Sequence, residues 1–290
     1  MKCQICGADV DLFDDVCANC GASLDEEIHR PYQEQTAEYE TQSYQEPTIV
    51  YQAQPYQEPI IPKIVATGEP HLACVLLIDT SVQEGGNTIE NINKGMQRLI
   101  AKVSMEERAS KRADVAVITY GGGVRIKQEF TPVALITEPV TLQAGGTAAM
   151  GEGIEITADL IAERLYVYDT LGAPAYRPWV FMISNNAPED DISYAARLIR
   201  DGESDSTLGS MRFFALGAGN YDKDAMFKIT NRVMELTDND FDGIFSWLAE
   251  SILAITASDY GDDVKLGNLP ANARVVKLTA GESDALNSQQ

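Results

Sequence analysis

Leu72-Ala-Cys-Val-Leu-Leu-Ile78 runs directly into Asp79-Thr-Ser81-Val-Gln83-Glu-Gly-Gly86. The first half is an unbroken apolar run with no polar alternation. That pattern predicts a strand covered on both faces, as in a parallel sheet sandwiched between helices. The second half is polar and closes on two glycines, so the chain leaves the sheet there. A helix is then expected from Asn87, with Glu90 three residues on as in a capping box. Ile89, Ile92, Met96, Leu99, Ile100 and Val103 recur at the helical period along it.

The same alternation continues downstream. Asp114–Tyr120 reads as a second buried strand, and Gly121-Gly122-Gly123 turns it into a hairpin partner over Val124–Phe130. A loop ends at Gly145-Gly146-Thr147, and a helix follows with Ile154, Ala158, Ile161 and Leu165 on one face. Trp179–Ile183 is a strand, and Asp190 or Asp191 caps a helix running through Arg200. Met211–Leu216 is a strand, followed by a short helix near Lys223–Ile229 and a short strand near Arg232–Leu236. Asp240 opens a last amphipathic helix that carries Ile244, Phe245, Trp247, Leu248, Ile252 and Ile255. Strands that alternate with helices imply an α/β fold with a doubly wound, mostly parallel sheet, Rossmann-like in plan. We assign it to residues 70–258. Residues 259–290 are polar apart from Ala273–Leu278 and read as a flexible C-terminal tail with room for one added strand.

In doubly wound folds the carboxyl edge of the sheet is where ligands bind. Asp79-Thr-Ser81, Gly145-Gly-Thr147 and Ser184-Asn185-Asn186 would meet there. With Val75–Asp79, Val117–Gly122, Arg177–Ile183 and Asp240–Leu248, these segments, in this order, resemble the von Willebrand factor A (VWA) domain, and within it the bacterial TerY-like proteins of the tellurium-resistance type. The resemblance implies a metal-ion-dependent adhesion site built from Asp-x-Ser-x-Ser, a later Thr and a later Asp. Asp79, Ser81 and Thr147 match that pattern. The second serine is replaced by Gln83, and the later aspartate by Asn185. Hard cations such as Mg²⁺ draw most of their binding from carboxylates, so an amide at 185 exchanges a charge for a dipole. Gln83 is long enough to fill the ion's space. Two readings of this edge follow: a weakened Mg²⁺ site, or a degenerate, metal-free polar edge in which Asp79 caps backbone N–H groups and Thr147 caps a helix. The two replacements weigh toward the second.

Upstream, Cys3-Gln-Ile-Cys6-Gly7 and Cys17-Ala-Asn-Cys20-Gly21 form two matched pairs. A segment that short cannot bury enough core to fold unaided, and four thiolates satisfy tetrahedral zinc with no open position. We expect Cys3, Cys6, Cys17 and Cys20 to hold a structural Zn²⁺ in a ribbon over residues 1–22. No secretory leader precedes Cys3, so thiolates are expected rather than disulfides, in a cytoplasmic protein. Residues 23–69 are rich in Gln, Glu, Pro and Tyr, with a drifting repeat at Tyr32, Tyr44, Tyr51 and Tyr56. They offer few bulky apolar side chains and read as a disordered linker with a reach of roughly 35–40 Å.

Lys and Arg number 22 against 44 Asp and Glu, a formal charge of −22. Such a charge repels nucleic acid and anionic membranes and favours protein partners with basic surfaces. No run approaches the roughly 18–20 apolar residues of a membrane span. The chain holds 2 histidines. His29 falls in the linker, and His71 reads as a residue at the domain's edge. Ser81 and Ser184 lie outside any Gly-x-Ser-x-Gly elbow, and Gly121–Gly123 lacks the Lys-Ser/Thr of a phosphate-binding loop. No constellation for catalysis emerges, and the expectation is a protein-binding scaffold rather than an enzyme. The TerY-like resemblance implies a place in a bacterial stress-response or phosphorylation-linked system. The alternative is a regulatory subunit of a multi-protein enzyme assembly, whose edge binds Mg²⁺ and a partner carboxylate.

Overall fold

The computed structural model describes residues 68–81, 88–204, 211–259, 262 and 264–278. The ribbon expected over residues 1–22, the linker up to residue 67, Gln83 and the tail beyond residue 278 lie outside the described residues.

The elements in chain order are β1 (Leu72–Ile78), α1 (Thr88–Ser104), α2 (Glu107–Arg112), β2 (Ala113–Thr119), β3 (Arg125–Pro132), α3 (Met150–Thr170), β4 (Trp179–Ser184), α4 (Ser193–Ser204), β5 (Arg212–Gly217), α5 (Lys223–Ile229), β6 (Val233–Leu236), α6 (Asp242–Ala257) and β7 (Ala273–Val275). The strands form one 7-stranded sheet in the order β3-β2-β1-β4-β5-β6-β7. β2, β1, β4, β5 and β6 are parallel, and β3 and β7 close the two sides antiparallel. This is the doubly wound plan. The strand order reverses between β1 and β4, which opens a crevice at their carboxyl ends.

The run Leu72–Ile78 is buried along its whole length because both faces of β1 are covered. Leu72, Cys74, Leu76 and Ile78 face one core with Ile92, Met96 and Leu99 of α1 and Phe245, Leu248 and Ile252 of α6. Ala73, Val75 and Leu77 face the other with Ile154 and Ile161 of α3, Ala195 and Ile199 of α4 and Met226 of α5. A period of two thus sorts one apolar run into two cores. α1 and α6 approach closely at Gly95, where a Cβ would lie 2.1 Å from Phe245 Cδ2.

Three features depart from the sequence reading. α2 is a six-residue helix, too short for its Glu-Arg-Ala-Ser-Lys-Arg sequence to show a period. The last helix begins at Asp242 rather than Asp240, because two successive Asx turns carry the chain into it. Asp240 N–H donates to Asp238 Oδ1 at 3.0 Å, and Asp242 N–H to Asp240 Oδ1 at 2.9 Å. Part of the segment read as a loose tail is built onto the domain. Trp247 Nε1 donates to the Gly267 carbonyl at 3.0 Å, and Leu266 and Leu269 pack on the α1/α6 core; β7, paired with β6, is the added strand for which the sequence left room. Trp247 needs that acceptor, since a buried indole N–H is costly to leave unbonded.

Candidate functional site

Asp79 follows β1 without leaving the sheet: its N–H donates to the Ile183 carbonyl of β4 at 2.9 Å. The backbone then bends so that the Asp79 carboxylate folds back over its own chain. Oδ1 accepts the Ser81 N–H at 2.9 Å and the Ser81 hydroxyl at 2.5 Å. Oδ2 accepts the N–H groups of Asn185 at 2.9 Å and Asn186 at 3.1 Å. These are the first residues past β4, so one carboxylate stitches the two strands together at the switch point. Asn185 returns a bond through Nδ2 to the Asp79 carbonyl at 3.1 Å, and Asn186 Nδ2 donates to Ser81 Oγ at 2.7 Å. Asp79, Ser81 and Asn185 are buried. Below them, Tyr120 donates its hydroxyl to the Ile183 carbonyl at 2.9 Å. Burial, with the nearby Asp79 charge, holds this phenol well above its usual range, so it stays a donor.

Glycines let two further loops close on this knot. A Cβ at Gly121 would lie 2.4 Å from the Ser81 nitrogen. Gly146 has φ +71°, and its Cβ would lie 2.1 Å from Gly122 Cα, so no other residue fits there. Gly145 N–H donates to the Thr80 carbonyl at 2.8 Å, and Gly122 N–H to the Thr147 carbonyl at 3.0 Å. Thr147 is exposed at the rim.

Of the residues singled out in the sequence, Asp79, Ser81 and Asn185 come together, Thr147 stands at the lip, and Gln83 is not among the described residues. Thr147 is not a helix cap. α3 starts after Ala149, which makes no side-chain cap bond. Its first N–H groups are instead satisfied by Asp190, which accepts from Gly151 at 3.1 Å and Glu152 at 3.0 Å. Asp190 therefore caps the preceding helix across the crevice, while Asp191 accepts the Ser193 N–H at the start of α4. Bonds from Ser193 hold the Asp191 carboxyl below its usual range. Asn186 was legible only as the neighbour of Asn185; its bond to Ser81 depends on tertiary placement.

A hard dication asks for several oxygen lone pairs converging on one point. Of the expected ligands among the described residues, Asp79 alone brings a carboxylate, and its two oxygens already accept four hydrogen bonds. Ser81 Oγ has an amide donor aimed at it. Around Asp79 and Ser81 the described residues thus supply hydrogen-bond donors where an ion would need lone pairs. Among the described residues, no group of ≥ 3 His, Cys, Asp or Glu side chains is placed to hold a metal. No described helix is long and apolar enough to cross a membrane.

Charge is unevenly distributed around the sheet. The loops that follow the parallel strands at its carboxyl edge carry Glu189, Asp190, Asp191, Asp222, Asp238 and Asp240 and no Lys, Arg or His. The nearest cations in sequence are Arg125, at the start of β3, and Lys223, at the start of α5. Helix N-termini explain part of this, since Asp190, Asp191 and Asp222 cap helices. The amino edge is different. There Arg112 pairs with Glu69, and Arg232 pairs with Glu203.

No protein-family model matches the sequence, and no curated protein matches it. Solved structures do. Proximal thread matrix protein 1 from the mussel byssus aligns with a TM-score of 0.47 at 15% identity, over 71% of this chain and 49% of its own. The ArnB paralog VWA2 from Sulfolobus acidocaldarius aligns with a TM-score of 0.40 at 16% identity, over 64% and 46%. A von Willebrand factor type A protein from Catenulispora acidiphila aligns with a TM-score of 0.39 at 20% identity, over 65% and 42%. The chain spans about half the length of these proteins or less. Likeness at this level assigns it neither a family nor an activity.

Proposed function

We propose that this chain is a non-catalytic docking protein. A VWA-type domain over residues 70–258 presents the carboxyl edge of its sheet to a basic protein partner and does so without a metal. The observation that carries this reading is the Asp79 carboxylate at the β1/β4 switch point. It is buried, engaged by four donors and set in an edge whose loops bear carboxylates and no cations. A buried anion satisfied by N–H groups preserves the shape of an adhesion site while removing its need for an ion. The surrounding field draws cationic segments and speeds their encounter.

In this reading Cys3, Cys6, Cys17 and Cys20 hold a structural Zn²⁺, and the linker lets that ribbon engage a second site. The setting is the bacterial cytoplasm, in a stress-response or phosphorylation-linked system of the TerY-like type. The edge is tested by pull-down from native cells with wild type and with Thr147→Lys/Glu189→Lys, two exposed positions. A partner retained in EDTA, released by salt and lost in the charge-reversed variant is the expected result. Retention that requires Mg²⁺ would favour the regulatory subunit with a working metal edge. Metal analysis of anaerobically purified protein checks the ribbon. One zinc per chain is expected, and it should disappear in Cys3→Ser/Cys6→Ser.

A further inference from the structure

At the amino edge of the sheet, four polar side chains meet away from solvent. His71 precedes β1, Asp114 lies near the start of β2, and Arg164 and Tyr168 stand one turn apart on α3. Their exposures are 0%, 0%, 2% and 1%. The contacts to Asp114 from these three side chains fall on one oxygen. Oδ2 accepts Arg164 Nη2 at 2.8 Å and the Tyr168 hydroxyl at 2.5 Å, and His71 Nδ1 lies 3.2 Å from it. Burial, reinforced by the Asp114 charge, holds the Tyr168 phenol well above its usual range, so it remains a proton donor to that carboxylate. The His71 ring stacks on Tyr168 at 5.3 Å. The Arg164 guanidinium lies 5.7 Å from the Phe130 ring centre and 5.0 Å from that of Tyr168.

The other half of this ion pair is unmatched. Asp114 Oδ1, Arg164 Nε and Arg164 Nη1 are buried and have no hydrogen-bond partner among the described residues. The flanking rings attract the cation but offer it no lone pair in the manner of an oxygen acceptor. Buried polar atoms in folded proteins escape this penalty by bonding to ordered water when no side chain reaches them.

We propose that an internal water molecule bridges Asp114 Oδ1 and one of the unpartnered N–H groups of Arg164, at Nε or Nη1. The chemistry selects water over an ion. The species must donate to a carboxylate oxygen and accept from a guanidinium. A halide would face the Asp114 carboxylate, and a metal cation would face Arg164. Water does both and leaves the one-to-one charge balance of the pair intact. The bridge completes a hydrated ion pair that ties β2 to α3 at the end of the sheet opposite the docking edge.

A high-resolution crystal structure of the full chain tests this directly. The expected result is a solvent peak within about 3.2 Å of Asp114 Oδ1 and of Arg164 Nε or Nη1. A side-on bidentate Arg164–Asp114 pair with no peak between them would overturn it. In solution, ¹⁷O magnetic relaxation dispersion counts long-lived internal waters. Asp114→Leu/Arg164→Met, which removes both charges together, should lose at least one, and an unchanged count refutes the bridge. If that variant does not fold, the crystallographic result decides alone.

Discussion

The side-chain amide of Asn186 donates to the Ser81 hydroxyl at 2.7 Å, and that hydroxyl donates onward to Asp79 at 2.5 Å. The relay runs from the loop after β4 to the loop after β1 and ends on a buried charge. A cation entering between these loops would meet the amide hydrogens of Asn186 and a hydroxyl whose proton is already committed. Ion entry would therefore require the loop after β4 to move away from Asp79, breaking the N–H bonds from Asn185 and Asn186 as well.

Asn185→Asp should convert this edge into one that wants a metal. The new carboxylate would sit against Asp79, losing the amide bond to the Asp79 carbonyl and gaining like-charge repulsion. Two charges about 4 Å apart repel by about 4 kcal/mol at an effective dielectric near 20, which bounds the cost from above. For a domain of this size we expect a loss of about 5–10 °C in Tm in EDTA. Millimolar Mg²⁺ should restore the variant and leave the wild type unmoved in scanning calorimetry. A Mg²⁺-dependent shift of the wild type would show that its edge already holds the ion.

Asp190→Ala should act on α3 although the residue belongs to the loop before α4. It strips the acceptor from the Gly151 and Glu152 N–H groups, a loss of about 1 kcal/mol for a cap of this kind. Amide exchange at those two residues should quicken while the interior of α3 is unaffected. Asp190→Asn should recover most of the protection. Asp191→Ala should loosen only the start of α4, where its partner is Ser193.

How far the sequence discloses the molecule depends on the range of the interactions. Buried strands such as Leu72–Ile78 and Trp179–Ile183 were legible because double-sided burial writes an apolar run into the chain itself. Asp79, Ser81 and Asn185 were legible as a group because the ends of those strands bring them to one edge. Of the two caps that the sequence offers for α4, Asp191 takes the role, while the role of Asp190 is not legible locally because its partners lie 39 and 38 residues away. His71 read as a domain-edge residue for the same reason. Its company of Asp114, Arg164 and Tyr168 is assembled by β1, β2 and α3 together.

Gly95→Ala should reverse the usual sign of that substitution. In an exposed helix interior the change stabilises by up to about 1 kcal/mol. Here the new methyl would fall 2.1–2.7 Å from three atoms of the Phe245 ring, which is itself fully buried and has nowhere to retreat. Separating α1 from α6 enough to admit it should cost about 1–3 kcal/mol, as overpacking does elsewhere. Denaturant melts would register this as a lower midpoint with an unchanged slope. Gly95→Ala paired with Phe245→Leu should recover part of the loss, and a failure of the pair to recover any would mean that the helices are held apart by something other than the ring.

Cys74 lies in the middle of β1, fully buried, and burial pushes its thiol up to about 12. At pH 8 only about one thiol in ten thousand would then be ionised, so native protein should resist iodoacetamide at this position until it unfolds. The same shift makes stability fall in alkali. The unfolded chain releases this proton near its ordinary value of 9.0, whereas the folded chain holds it to about 12. Between those limits each unit of pH favours the unfolded state by about 1.4 kcal/mol through this group alone. Cys74→Val adds about one methyl group of volume, a cost that does not vary with pH, and removes the titration. The difference in unfolding free energy between wild type and Cys74→Val should be constant below pH 8 and should widen against the wild type from pH 9 upward. Parallel pH curves for the two proteins would mean that the thiol reaches solvent in the folded state.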